Sequence, residues 1–233
     1  MPLLPRAVFA TLALLMAAGP LSAQSAQTNT PPTPTTAPAE SPTGPNAMED
    51  PQVGDHWTYE VRDEITGEIK STLTNTVTDT SGSEIGMRSS QLGNPNFGYQ
   101  TFDRSWNLVY NSVWRYTPSD GTGIRSPLAV GKTWSFKSTD TNSALSATWK
   151  RSGTAKVVAE ESITTRAGKF DTFKIETSLQ VQNANDPTKK IQVTQQSWYA
   201  PTIDHWVKRS VVSRSDGRVR DSSTIELIEY GRR

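Results

Sequence analysis

The chain of 233 residues carries two histidines, and both stand in the same tripeptide: Asp55-His56-Trp57 and Asp204-His205-Trp206. A carboxylate beside an imidazole could orient it for general acid–base work, the chemistry of a hydrolase. Adjacent residues of an extended strand point to opposite faces, however, so neither aspartate is placed to serve the histidine beside it. Two histidines meeting across strands could share a proton or hold a metal ion; surface or packed histidines are the expected reading. Serine and threonine are plentiful, but none lies in a G-x-S-x-G elbow or an S-x-x-K motif that would activate its hydroxyl. Glu160 and Glu161 diverge as strand neighbours and make a poor acid–base dyad. With no P-loop, EF-hand loop or G-x-G-x-x-G run, the sequence nominates no catalytic residue, no metal ligand and no cofactor.

Cysteine is absent. That removes a disulfide framework, a thiol nucleophile, cysteine-ligated zinc or iron–sulfur sites, and an acylated amino-terminal cysteine. The seven tryptophans are the richest signal. Trp57 and Trp134 read as core anchors, each indole able to bury roughly 150–250 Å². Trp106, Trp114, Trp149 and Trp198 have polar neighbours and are the candidate ligand-binding residues: sharing an exposed face, they could stack on sugar rings or line a groove for an acyl chain. The competing expectation is that they close the open side of a sheet.

The elements that would position these residues follow a period of two. Trp57, Tyr59 and Val61 alternate with Thr58, Glu60 and Arg62, and Phe173, Ile175, Thr177, Leu179 and Val181 alternate with polar neighbours, the mark of strands with one buried and one wet face. Further strands are predicted over 69–78, 84–90, 106–112, 132–138, 146–159, 190–199, 205–213 and 219–230. Turn residues such as Thr66-Gly67, Ser81-Gly82, Ala167-Gly168 and Asp216-Gly217 separate the runs, so consecutive strands pair antiparallel. The predicted fold is all-β and mainly antiparallel: one strongly curved sheet, a half-barrel or open barrel, with at most short connecting helices. Val53-Gly54-Asp55-His56-Trp57-Thr58-Tyr59 and Val130-Gly131-Lys132-Thr133-Trp134-Ser135-Phe136 share V-G-x-x-W-[ST]-[YF], which suggests two similar halves, 51–127 and 128–233, in one domain spanning 51–233.

Ahead of that domain, Arg6, the apolar run Ala7 to Ala18 and the small residues Ser22-Ala23 read as a signal peptide over 1–23. The run is too short to span a bilayer, which needs about 20 residues, so no transmembrane helix is expected after cleavage. Residues 24–50 are rich in Pro, Thr, Ser and Ala and lack an apolar face, the composition of a disordered spacer. The expected location is the periplasm or the outside medium. A formal net charge of +1 gives no long-range attraction to nucleic acid or anionic lipid.

Three segments resemble a known family. Pro127-Leu128-Ala129-Val130-Gly131-Lys132-Thr133-Trp134, Ala167-Gly168-Lys169-Phe170-Asp171-Thr172-Phe173-Lys174-Ile175-Glu176 and Trp198-Tyr199-Ala200-Pro201 are similar, in this order, to the TapB-like, domain-of-unknown-function 3108-like bacterial periplasmic β proteins. The resemblance implies an exported, mainly β protein and brings no catalytic residues with it. The functional expectation is a non-enzymatic binding or scaffold protein of the cell envelope, holding an apolar ligand or partner segment on a concave sheet, with lipid, glycan or an envelope protein as partner classes. The alternatives are an envelope hydrolase using His56 or His205 and a glycan-binding module using exposed tryptophans.

Overall fold

The structure, a computed structural model, describes residue 48 and residues 50–232. The expected signal peptide and residues 24–47 of the expected spacer lie outside the described residues. Contacts of the domain reach back to Met48, which is buried and donates its backbone N–H to the Thr202 carbonyl at 2.8 Å.

Twelve strands follow in order: β1 (His56–Asp63), β2 (Ile69–Asp79), β3 (Glu84–Gln91), β4 (Phe97–Asp103), β5 (Leu108–Asn111), β6 (Trp114–Thr117), β7 (Thr133–Asn142), β8 (Ala147–Thr165), β9 (Gly168–Asn183), β10 (Lys190–Ala200), β11 (His205–Ser215) and β12 (Arg218–Gly231). One 3-10 turn, Pro201–Ile203, links β10 to β11. Every strand pairs antiparallel with its sequence neighbour, and β1 pairs with β12 from His56↔Gly231 to Asp63↔Ser223. The sheet is therefore a closed barrel, which corrects the expectation of a half-barrel or open barrel. Closure satisfies the backbone groups that two open edges would leave bare, and bulges at Thr58/Tyr59, Val61/Arg62 and Trp198/Tyr199 supply local twist and bending.

Alternation decides which side faces in. On β7, buried Trp134, Phe136, Ser138, Asp140 and Asn142 alternate with exposed Thr133, Ser135, Lys137 and Thr139. On β8, buried Trp149, Arg151, Ala155 and Val157 alternate with exposed Lys150, Ser152, Thr154 and Lys156. These walls are polar outside and largely apolar inside, the reverse of a barrel whose outer face meets lipid. Among the described residues no helix is long and apolar enough to cross a membrane.

The V-G-x-x-W motifs open β1 and β7, six strands apart. Gly54 and Gly131 both take positive φ, 96° and 91°, which glycine adopts without steric cost. Gly54 N–H bonds to the Val77 carbonyl at 2.9 Å, and Gly131 N–H to the Val157 carbonyl at 2.8 Å, so each motif fastens a strand entry to the following strand. The two indoles, Trp57 and Trp134, are buried.

Gly153 marks a tight place in the wall. It lies between Phe136 and Leu179 in register, and a Cβ there would stand 2.5 Å from Phe136 Cζ and 2.7 Å from both Leu179 Cβ and the Ser178 carbonyl oxygen. Gly153→Ala is expected to cost about 1–3 kcal/mol through overpacking, visible as a lower thermal midpoint. Gly98→Ala, which meets nothing within 4 Å, should leave the midpoint nearly unchanged.

Candidate functional site

The barrel has two ends. One is formed by the β2–β3, β4–β5, β6–β7, β8–β9 and β10–β11 connections together with the start of β1; the other by the remaining hairpin turns. At the first end, His205 opens β11 inside an aromatic cage. Its ring stacks on Trp106 at 4.6 Å between centroids and meets Trp57 at 4.4 Å and Trp206 at 4.8 Å edge-on. Trp206 N–H donates to His205 Nδ1 at 2.9 Å; Nε2 is buried with no hydrogen-bond partner. Burial, and then the charge of Arg209, hold the imidazole well below the ordinary histidine range, so it is neutral near pH 7.

The carboxylates around this cage are engaged elsewhere. Asp204 takes a left-handed backbone, φ 43°, and accepts a short hydrogen bond from the Tyr199 hydroxyl. Burial pushes its carboxyl up to about 6 against the pull of that bond. Tyr59 donates to the Trp206 carbonyl at 2.8 Å, and burial raises its hydroxyl far above the usual phenol range. Arg209 lies 3.5 Å from the centre of the Trp206 ring, and burial lowers its guanidinium to about 10. A neutral histidine under three indoles, with no carboxylate hydrogen-bonded to it and 6% exposure, has no open approach for a substrate. His56 precedes Trp57 on β1 and faces Gly231 across the β1–β12 seam, not His205. Among the described residues no group of three or more His, Asp or Glu could hold a metal ion.

Nearer the second end lies a buried polar network that sequence reasoning did not single out. Asp140 accepts two hydrogen bonds from Arg151, from Nε at 3.0 Å and Nη2 at 2.8 Å, and a third from Ser138 at 2.8 Å. The guanidinium sits 5.3 Å from the Tyr116 ring centre. Both partners are nearly sealed, with side chains 5% and 4% exposed. Burial disfavours the Arg151 charge, yet Asp140 and Asp120 together hold its guanidinium above the ordinary value. Burial raises the Asp120 carboxyl, which accepts from Leu108 N–H at 2.8 Å and from Thr122 Oγ1 at 2.5 Å. These groups stabilise one arrangement of β5 to β8 and present nothing to solvent. A second ion pair closes the seam: Asp55, fully buried, meets Arg232 at 3.2 Å.

The four candidate tryptophans part company. Trp106 (1% exposed), Trp114 (5%) and Trp149 (7%) are packed in the core. Trp198 alone is partly exposed. It pairs with Lys174 of β9 and Lys208 of β11, whose ammonium groups lie 4.9 and 5.7 Å from its ring centre. Its indole N–H donates to Glu161 at 2.6 Å. Glu161 belongs to the far part of the β8–β9 hairpin, beyond the bulge at Val157/Ala159. The hairpin tip is anchored three and four strands away, by Phe170 against Tyr230 of β12 at 5.7 Å and by Arg166 to Glu60 of β1 at 2.5 Å.

Among the described residues, Trp57, Trp106, Phe136, Phe170, Leu227 and their neighbours form one continuous core in the interior. Surface depressions exist on the outside. One of about 330 Å³ is lined by Glu60, Arg62, Ile69, Arg166, Thr224 and Glu226, and one of about 310 Å³ by Lys190, Gln192, Arg214, Asp216 and Gly217. Neither contains a histidine or a tryptophan.

Comparison with known proteins agrees with this architecture. A candidate lipoprotein from Parabacteroides distasonis superposes with a TM-score of 0.54 at 16% identity, covering 80% of this chain and 100% of that one. A candidate exported protein of YmcC-like fold from Bacteroides fragilis gives 0.51 at 14% identity, with the same coverage. At these identities the likeness is one of fold. No curated protein matches the chain in sequence. The DUF3108-like family model matches residues 135–210, a span that holds two of the three family-like segments, Ala167–Glu176 and Trp198–Pro201, and begins just after the first. From β7 to the middle of β11, the chain is similar in sequence to that family.

Proposed function

We propose that this protein is an exported component of the bacterial cell envelope, without a catalytic role, that works by presenting its outer surface to a partner. Export is supported by the basic, apolar and small-residue succession over residues 1–23 and by fold relatives described as a candidate lipoprotein and a candidate exported protein. The observation that carries the binding reading is the contrast between the tryptophans: three fill the core, while Trp198 stands on the outer wall among charged groups. A filled, closed barrel has no concave apolar face to offer, so the ligand belongs on the outside. The Trp198 ring carries the Lys174 and Lys208 ammonium groups over it and Glu161 at its N–H; when the flexible lysines swing aside, a sugar ring stacks on the aromatic surface and hydrogen-bonds to these groups.

Trp198→Ala tests this at the margin of the core, which the indole touches without being buried in it. It is expected to lower retention on isolated cell-wall polysaccharide at least fivefold while the thermal midpoint moves by only a few degrees. Equal retention of variant and parent would remove Trp198 from the binding surface. Trp106→Ala and Trp114→Ala are unsuitable probes, since each empties a core site at about 3–5 kcal/mol.

A further inference from the structure

Eleven large apolar side chains are exposed among the described residues, and only Val53 and Val130 lie at the end of the barrel that holds the aromatic cage. The other nine gather at the opposite end. Ile65 (65% exposed) is in the β1–β2 turn, Leu92 (79%) in the β3–β4 turn, Val113 (50%) in the β5–β6 turn and Leu145 (54%) in the β7–β8 turn. In an up-and-down barrel these four turns share one rim. Ile69 and Phe97 start the strands that leave two of those turns, and Val219 stands at the start of β12. Phe97, Tyr99 and Tyr110 add a band of exposed rings to the wall just behind the rim: Phe97 and Tyr99 are in contact at 5.4 Å, and Arg88 lies 5.7 Å from the Phe97 ring centre.

Charge sorts with this feature. Glu84 and Asp103 lie at the ends of β3 and β4 remote from this rim; on the rim side, from Ile85 to Phe102, Leu108 to Thr117 and Thr133 to Ser152, the exposed charges are Arg88, Arg115, Lys137 and Lys150. The one carboxylate within those stretches, Asp140, is buried against Arg151. The acidic residues at this end of the barrel stand in its other turns, Glu64 and Glu68 between β1 and β2, Asp186 between β9 and β10 and Asp216 between β11 and β12.

Single apolar side chains on successive turn tips, a band of aromatic rings behind them and a local excess of cations are what an anionic bilayer surface would select. The tips enter the acyl boundary, the rings occupy the headgroup layer and the cations meet lipid phosphates. We infer that the part of the rim formed by the β3–β4, β5–β6 and β7–β8 turns docks on the surface of an anionic lipid bilayer. The inference deepens the proposed envelope role, on which it rests for access to a membrane, and it is independent of Trp198. The barrel lies on the bilayer and does not cross it, because its outer walls over β7 and β8 are polar.

Flotation of the full chain with vesicles tests the inference, using phosphatidylcholine alone and phosphatidylcholine with 30 mol% phosphatidylglycerol. Residues 7–18 contribute equally to every variant, so the ratio between variants is the readout. L92D/V113D is expected to reduce binding to the anionic vesicles at least tenfold, and R88Q/R115Q/K150Q to reduce it on anionic but not on neutral vesicles. V53D/V130D, at the opposite end, should bind as the parent does. Thermal midpoints confirm that each variant is folded. Binding unchanged by L92D/V113D overturns the inference. So does a parent that elutes as a dimer and becomes monomeric with L92D/V113D, which would make the occupant of the rim a second copy of the chain. Neither result bears on retention through Trp198.

Discussion

Asp140→Ala is expected to remove about 3–5 kcal/mol of stability, because it leaves the Arg151 guanidinium charged, buried and short of both its hydrogen bonds to the carboxylate, one of which is also its ion pair. Out of the roughly 5–15 kcal/mol that holds a domain together, that loss brings the barrel near unfolding at 37 °C. The double variant Asp140→Leu with Arg151→Met replaces the pair by apolar groups of similar bulk, and it should recover most of the loss. Urea denaturation of the parent, Asp140→Leu, Arg151→Met and the double variant gives the coupling between the two residues directly. A loss under 1 kcal/mol for Asp140→Ala would mean that water reaches Arg151.

The second large effect concerns pH. His205 is held well below the ordinary histidine value by burial and by Arg209, so the unfolded chain takes up a proton that the folded one refuses. Its contribution to stability is therefore present above about pH 6.5 and is lost as the pH falls below that, at no more than about 1.4 kcal/mol per unit. Asp204, raised to about 6 by burial, acts in the opposite sense: its contribution is present at pH 4 and is lost as the pH rises through 6. The two largely oppose each other between pH 4 and 6. His205→Phe should expose the Asp204 slope, with stability falling as pH rises across this interval relative to the parent. Asp204→Asn, which tolerates the left-handed backbone at this position, should expose the His205 slope, with stability falling on acidification. Chemical denaturation midpoints at pH 4, 5, 6 and 7 would show the two variants diverging by about 2–4 kcal/mol over two units. Parallel curves would mean that neither group titrates as its burial dictates.

Local pattern made the strands legible. The runs at 69–78, 190–199 and 205–213 coincide with β2, β10 and β11 to within a residue or two, because alternation and turn chemistry are written in neighbouring positions. β4 and β6 escaped notice: Phe97-Gly98-Tyr99 puts its rings on the wet side, and β6 is four residues long, too short to show a period. Trp106 was assigned to a strand but adopts φ 59° in the turn before β5. Closure was not legible, since the register between β1 and β12 depends on residues some 170 positions apart. The Asp140–Arg151 pair was within reach. Both sit on the inward parity set by Trp134, Phe136 and Trp149, and a charge on that parity needs a partner; the strand assigned to 132–138 stopped two residues short of it. What separates Trp198 from Trp106, Trp114 and Trp149 is placement in the folded wall, for which all four have equally polar sequence neighbours.

All pairings but one join strands that follow each other in the chain. During synthesis each hairpin can add to the last as soon as it emerges, with only short loops to close. The exception, β1 with β12, cannot form until Arg232 and the strand before it have arrived to meet Asp55. Until then the growing meander has two bare edges, and a neighbouring nascent copy offers the same hydrogen-bonding row that β12 will later supply. Crowding at the site of manufacture should therefore favour strand-swapped oligomers joined at the seam, and slower production should favour the monomeric barrel.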